Sequence, residues 1–124
     1  LVMGIGVPER DSVLVEAGSI LKWSELQDLT QKGCVGDVAL HFFDSYGRPV
    51  PCEISSRTIT VDAETIAKIP RTLGVAGGAA KIPAIRAALR GRWINTLVTD
   101  QATARALLRE EEESELDGNV ADSR

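Results

Sequence analysis

The chain has 124 residues, 44% of them hydrophobic and 26% charged, which is the composition of one modest globular domain. Its formal net charge of -4 argues against a protein that holds nucleic acid through its overall electrostatic field. No apolar run approaches the roughly 20 residues that cross a bilayer, and the apolar start lacks the charged n-region of a signal peptide, so we expect a cytoplasmic protein without a membrane partner.

The first predicted elements are a strand and a helix. Residues 1–5 are apolar and predict a buried strand that ends at Gly6. A polar loop follows, in which either Asp11 or Ser12 is a suitable N-cap for a helix over residues 13–17. The chain opens inside an apolar strand and without an initiator methionine, so we expect a fragment of a longer protein.

A second helix, a strand and a turn are predicted next. Ser24 and Gln27 have the spacing of a capping box, and Gly33 is a suitable residue to end the helix. Residues 35–43 are rich in strand formers and predict one strand. Residues 44–47, Asp-Ser-Tyr-Gly, predict the turn that follows it.

The middle of the chain predicts a strand over residues 57–61, with Ile59 and Val61 facing inward. Asp62 is the expected N-cap of a short helix over residues 63–68. Alternation of strands with helices of this length predicts an α/β fold with a mainly parallel sheet and flanking helices.

The segment that begins at Leu73 is the most informative one. An apolar strand leads into Gly77 and Gly78, and a helix begins at about Lys81. Adjacent glycines allow the backbone to approach a ligand, and a helix N-terminus with a lysine attracts anions such as phosphate. The spacing matches neither the dinucleotide fingerprint nor the phosphate-binding loop of nucleotide hydrolases. A plain tight turn between strand and helix is the alternative interpretation.

The last predicted elements are a strand over residues 93–98 and a helix over 101–112 that Asp100 caps. Its apolar face is predicted to consist of Ala102, Ala106 and Leu107. Residues 110–124 are mostly acidic and polar and predict a disordered tail.

Metal binding is not expected. Cys34, Cys52 and His41 are too scattered for a zinc site, so the sequence predicts reduced thiols, no metal and no cofactor. A lone histidine in an apolar strand is more often a hydrogen-bonded core residue than a ligand-binding one.

The ordered motifs resemble the sugar-binding effector domain of the SorC family of bacterial transcriptional regulators. The resemblance covers about residues 1–108 and rests on these segments, in this order: Gly4-Ile5-Gly6, Gly36-Asp37, His41-Phe42-Phe43-Asp44, Gly47-Arg48-Pro49-Val50, Ile69-Pro70-Arg71, Val75-Ala76-Gly77-Gly78 with Lys81, Ala88-Leu89-Arg90-Gly91 and Leu97-Val98-Thr99-Asp100.

The resemblance implies a Rossmann-like α/β fold similar to that of the sugar-phosphate isomerases. Residues 1–109 would form the second half of the effector domain. A phosphorylated sugar would control DNA binding through a helix-turn-helix domain that this chain lacks, within a homo-oligomer. The first half of the pocket, with its threonine and serine phosphate contacts, would also lie outside this chain.

The resemblance also implies a ligand site. Asp37 would accept sugar hydroxyls, and Lys81 would contact sugar or phosphate oxygens, roles that suit a carboxylate and an ammonium. Gly77 and Gly78 would close over the ligand, and Gly6 would border the pocket. The alternatives are a surface ion pair for Asp37 and Lys81 and turn geometry for the glycines.

Three functions remain open from the sequence. The favoured one is a sensor domain that binds its effector without making or breaking a covalent bond. An isomerase or deaminase would need a general base, for which Asp37 is available, whereas Lys81 could form a Schiff base. No second acid–base group accompanies them. The third function is a structural oligomerisation domain that has lost its ligand.

Overall fold

A computed structural model describes residues 1–9, 12–16 and 20–109. It confirms the α/β fold. The elements in chain order are β1 (Val2–Gly4), α1 (Val13–Glu16), α2 (Trp23–Gln31), β2 (Cys34–Val38), β3 (His41–Asp44), α3 (Ile54–Arg57), α4 (Ala63–Lys68), β4 (Leu73–Val75), α5 (Ile82–Arg90), β5 (Thr96–Val98) and α6 (101–109), with a 3-10 turn at Ala79–Lys81 before α5. The candidate cap Asp11 and the acidic tail, 110–124, lie outside the described residues.

The central sheet has three parallel strands in the order β1-β4-β5. Val2 pairs with Leu73 and Leu73 with Thr96, so the three strands are in register and end at the same edge. Both crossovers proceed in one direction across the sheet. Because such connections are right-handed, both place their helices on the same face.

That packed face carries the larger core. Met3, Ile5, Ile85 and Ile94 are buried there together with three alanines of α5, namely Ala84, Ala87 and Ala88. The small residues of α5 let its backbone approach the β2–β3 hairpin closely, where Ala84 lies against Gly36. Pro83 in the first turn of α5 suits a position where the missing N–H has no helical acceptor.

The predicted strand over residues 35–43 is in fact an antiparallel hairpin of β2 and β3. Its two-residue turn consists of Ala39 and Leu40, whose φ angles are +48° and +65°. Left-handed conformations are unusual for residues other than glycine, asparagine and aspartate, so the sequence contained no turn signal. One face of the hairpin joins the larger core, and the other packs on Leu29 and Ile54 in a second cluster.

The predicted strand over residues 57–61 is wrong. Residues 54–57 form α3 instead, and the segment that follows has no ladder partner among the described residues. Ile59 is fully exposed and Val61 is exposed as well, so neither faces a core. The alternation of threonine with apolar residues imitates a strand, but strand propensity needs a neighbouring strand to become structure.

Helix caps follow the sequence closely at most ends. Ser12 Oγ accepts the N–H of Leu14, Gly33 ends α2 with a φ of +83°, and Asp62 Oδ1 accepts the N–H of Thr65 at 2.8 Å. The capping box of α2 is an exception. The N-cap is Lys22, two residues before the predicted Ser24, and Glu25 accepts the N–H of Lys22 in place of the Ser24–Gln27 pair.

The C-terminal elements also differ in detail. The last strand begins at Thr96, because the buried residues Trp93 and Ile94 precede the ladder. In α6, Ala102 is exposed and Thr103 is the buried residue, which corrects the predicted apolar face. Across the described residues, no helix is long and apolar enough to span a membrane.

Candidate functional site

The candidate site lies at the edge where the three parallel strands end. Strand β1 leads into Ile5 and Gly6, β4 leads into residues 76–78, which we term the glycine loop, and β5 leads into Thr99 and Asp100. Open α/β sheets bind ligands at the carboxyl ends of their strands, so this is the edge at which binding groups are expected.

Asp37 reaches this edge through the β2–β3 hairpin. Gly6 and Asp37 form an antiparallel bridge in which each N–H donates to the other's carbonyl, at 2.9 and 3.1 Å. The carboxylate of Asp37 lies over the α-carbon of Gly6, where any Cβ atom would clash with Oδ1. Gly6 is therefore required by the buried carboxylate itself, which is a role that the sequence did not reveal.

Burial raises the pKa of Asp37 above its ordinary value. The backbone N–H of Leu40 and the nearby positive charge of Lys81 oppose that shift, as does His41 to a smaller degree. Asp37 as a residue is 8% exposed, so its carboxylate is costly to ionise and gains from a ligand that donates hydrogen bonds.

Lys81 comes from the 3-10 turn before α5. Its ammonium donates a hydrogen bond of 2.8 Å to the carbonyl of Ile5, the residue next to Gly6. Within the described part of the chain, Lys81 and Asp37 form no direct ion pair, although their charges interact. Two residues that are 44 positions apart in the sequence thus converge on one main-chain segment, Ile5 and Gly6.

The glycine loop is held from the opposite side by the start of α6. The N–H of Gly78 is shared between Asp100 Oδ2 at 3.1 Å and Thr103 Oγ1 at 2.9 Å. Gly78 has a φ of +101°, so glycine is favoured there, and a Cβ atom at Gly77 would clash with Asp100. Among the described residues, the N–H groups of Gly77, Ala79 and Ala80 have no acceptor.

Comparisons with known proteins identify the family. Residues 1–109 match the family model described as "Putative sugar-binding domain". The chain belongs to this family.

Individual relatives are named as regulators. The chain is 42% identical over 110 residues to "Transcriptional regulator LsrR" of Klebsiella pneumoniae and 35% identical over 107 residues to "Erythritol catabolism regulatory protein EryD" of Brucella abortus. These alignments cover 86% of this chain but only 34% and 33% of the relatives. The chain thus spans about a third of the curated relatives that it matches.

Solved structures give the same result. The full-length sorbitol operon regulator SorC from Klebsiella pneumoniae superposes with a TM-score of 0.76 at 32% identity, covering 86% of this chain and 34% of that one. The sugar-binding domain of a transcriptional repressor from Vibrio fischeri gives a TM-score of 0.78 at 28% identity, covering 90% of this chain and 44% of the other.

The five predicted site residues of this sugar-binding domain all lie at the one sheet edge. Gly6, Asp37 and Lys81 form one group, and Gly77 and Gly78 form the adjoining loop. Their role in binding stays a prediction. The sequence interpretation missed Thr103 as part of the site and assigned Asp100 only to a helix cap. The spacing of Asp100 and Thr103, an N-cap residue and a hydroxyl three positions later, was the available signal.

His41 is hydrogen-bonded as expected, but it is half-buried and not a core residue. Its Nε2 is 2.7 Å from the carbonyl oxygen of Val61, and its ring stacks on Trp93 at a centroid distance of 5.6 Å. The described residues contain no cluster of side chains that could hold a metal ion. The chemistry of the edge is therefore that of a carboxylate, an ammonium and backbone N–H groups.

Proposed function

We propose that this chain is the effector-sensing part of a DNA-binding transcriptional regulator and that its effector is a phosphorylated sugar or a related metabolite. The full-length protein would act in the cytoplasm as a homo-oligomer and would contact DNA through a separate helix-turn-helix domain. The observation that supports this function best is the convergence of Asp37 and Lys81 on the Ile5–Gly6 segment at the ends of the strands.

The two side chains suit the two ends of such a ligand. A carboxylate accepts hydrogen bonds from two sugar hydroxyls, and a lysine provides a mobile positive charge for sugar or phosphate oxygens. The ammonium of Lys81 donates to the neutral carbonyl of Ile5, which is a weaker partner than an anionic oxygen. The N–H groups of Gly77, Ala79 and Ala80 add donors in the segment that precedes Lys81.

We assign residues 1–109 to the effector domain and residues 110–124 to an acidic tail. Binding would involve no bond-making, because a sensor needs only a difference in affinity between two states of the assembly. Linkage then requires ligand and operator affinities to change reciprocally. The relatives' names support this assignment over an isomerase or deaminase, since they describe regulators.

The test is a thermal-shift titration of the full-length native protein with glucose 6-phosphate, fructose 6-phosphate and ribose 5-phosphate. At a concentration about 100-fold above Kd, a ligand adds about 2.7 kcal/mol to the free energy of unfolding. Lys81→Met, which keeps most of the aliphatic stem, and Asp37→Asn should each remove most of that shift. Lys68→Met, at an exposed lysine of α4, is the matched control and should keep it.

Asp37→Asn carries a second expectation for the free protein. Because burial raises the pKa of Asp37 in the folded state, the free energy of unfolding falls as pH rises through that pKa. The neutral amide escapes this penalty and still accepts the N–H of Leu40, so the free variant should melt at the same temperature as wild type or higher at pH 7.

Turnover of any sugar phosphate by the native protein would contradict the proposed function.

A further inference from the structure

Lys81 is connected to α6 through a short series of hydrogen bonds. The N–H of Lys81 donates to the carbonyl of Gly78 at 3.0 Å, and the N–H of Gly78 is held by Asp100 and Thr103. The side chain of Lys81 then reaches back to Ile5. The position of the ammonium therefore depends on where the glycine loop is held.

Asp100 and Thr103 form a closed hydrogen-bonded unit, which we term the clasp. Thr103 Oγ1 donates to Asp100 Oδ2 at 2.7 Å, and the N–H of Thr103 donates to Asp100 Oδ1 at 2.8 Å. Because the Thr103 hydroxyl donates its hydrogen bond to Asp100, its oxygen lone pairs are free to accept the N–H of Gly78. Thr103 is only 2% exposed, so its hydroxyl is shielded from competing water.

The glycine loop is shaped to fit this clasp. Gly77 has no room for a Cβ atom because Asp100 Oδ2 occupies that space, and Gly78 adopts a positive φ that places its N–H on the clasp. A helix cap alone would need only Asp100 and the N–H of Thr103. The hydroxyl of Thr103 and the absence of a side chain at Gly77 serve the loop.

We propose that Asp100 and Thr103 are positioning residues, which fix the glycine loop and thereby hold the Lys81 ammonium at the Ile5–Gly6 segment, facing Asp37. This inference rests on the proposed function for its biological meaning, because Lys81 is the residue that would contact the effector. The clasp also ties that contact to α6, so that occupancy of the site and order in the first turn of α6 are coupled.

The test uses two variants that remove the clasp by different routes. Thr103→Val preserves the shape of the side chain and removes its hydroxyl, whereas Gly77→Ala displaces Asp100. Thr103→Ser restores the hydroxyl and is the rescue variant. Gly4→Ala, at a glycine whose Cβ would have no heavy atom within 4 Å, is the matched control for Gly77→Ala.

Two ligand-free measurements on the full-length native protein report the outcome. Hydrogen exchange of the Gly78 amide should accelerate about tenfold in Thr103→Val, the amount expected for one lost hydrogen bond, and should return in Thr103→Ser. In lysines labelled by reductive ¹³C-methylation, the Lys81 resonance, assigned with Lys81→Arg, should move toward that of exposed Lys68 in Thr103→Val and Gly77→Ala only.

Faster exchange at Gly78 with an unchanged Lys81 resonance would overturn the positioning role and leave the clasp as a helix cap. Rapid exchange at Gly78 in the native protein would also overturn the proposal. Neither the exchange measurement nor the lysine resonance requires a ligand. A failed sugar-phosphate titration would therefore count against the proposed function alone. Where a ligand binds, Thr103→Val should weaken it several-fold in the wild-type background and have no further effect in Lys81→Met.

Discussion

The two faces of the parallel sheet differ sharply although the same three strands form both. On the packed face, Met3 is buried in the larger core and Gly74 is buried against Ile94 and Ile5. On the opposite face, which we term the bare face, Val2, Val75 and Val98 are 67%, 47% and 51% exposed. Among the described residues, no helix covers them.

The difference follows from topology. Parallel strands in α/β proteins are apolar on both sides because helices cover both faces of the sheet. Here both crossovers lie on one side, since β1, β4 and β5 follow each other in one direction. The strands nevertheless carry valines on the bare face. Their sequence is therefore that of a sheet covered on two sides, and half of that burial is not realised within the described residues.

The largest expected contrast between the faces is the cost of removing an aliphatic side chain. Ile94 is 1% exposed within the packed core, so Ile94→Ala should lower the free energy of unfolding by about 2–5 kcal/mol. Val98→Ala on the bare face is the matched control and should change it by less than about 0.5 kcal/mol. Urea unfolding followed by circular dichroism measures both. Equal losses in the two variants would show that the bare face is covered in solution.

A smaller effect is expected where a methyl group is added. A Cβ atom at Gly74 would lie 2.7 Å from Cδ1 of Ile94 and 3.2 Å from Cδ1 of Ile5. Both are the ends of side chains that can shift slightly, so Gly74→Ala should cost about 1–3 kcal/mol.

The control and the rescue for this prediction are available in the same sheet. Ile94→Val removes the Cδ1 atom that crowds Gly74, so Gly74→Ala in that background should cost clearly less than in wild type. Gly4→Ala in β1 has open space around its Cβ and should be neutral or slightly stabilising. Strictly additive losses for Gly74→Ala and Ile94→Val would rule out this steric explanation.

Local signals made much of this fold predictable. Most helix caps, the strand that leads into the glycine loop and the alternation of strands with helices follow from residues that are close in sequence. The hairpin turn at Ala39 and Leu40 did not, because these residues adopt left-handed conformations without a glycine or asparagine to announce them. The strand predicted around Ile59 was wrong for a different reason. Those residues have strand propensity, but no partner strand lies beside them among the described residues, so no sheet forms.

In the candidate site, too, the features that are local in sequence were predictable and the contacts between distant residues were not. Lys81 and the two glycines were recognisable because strand, loop and helix are contiguous. The fit of Gly6 beneath Asp37 and the attachment of Gly78 to Thr103 are contacts between residues 31 and 25 positions apart, which only the folded chain brings together.

The predicted burial of residues 1–5 was half right, since alternate residues of β1 face opposite sides.

The smallest effect should come from polar substitution on the bare face. Val75→Thr combined with Val98→Thr keeps β-branched side chains, and both sites are about half exposed, so the free energy of unfolding should change by less than about 0.5 kcal/mol. Binding of a hydrophobic dye such as ANS should fall, because the contiguous apolar patch is broken. A loss of more than about 1 kcal/mol together with a change in oligomeric state would instead show that another layer covers these valines in solution. The burial that the strand sequences imply would then be supplied between chains or by further residues of the native protein, and the contrast between the two faces would disappear in the assembly.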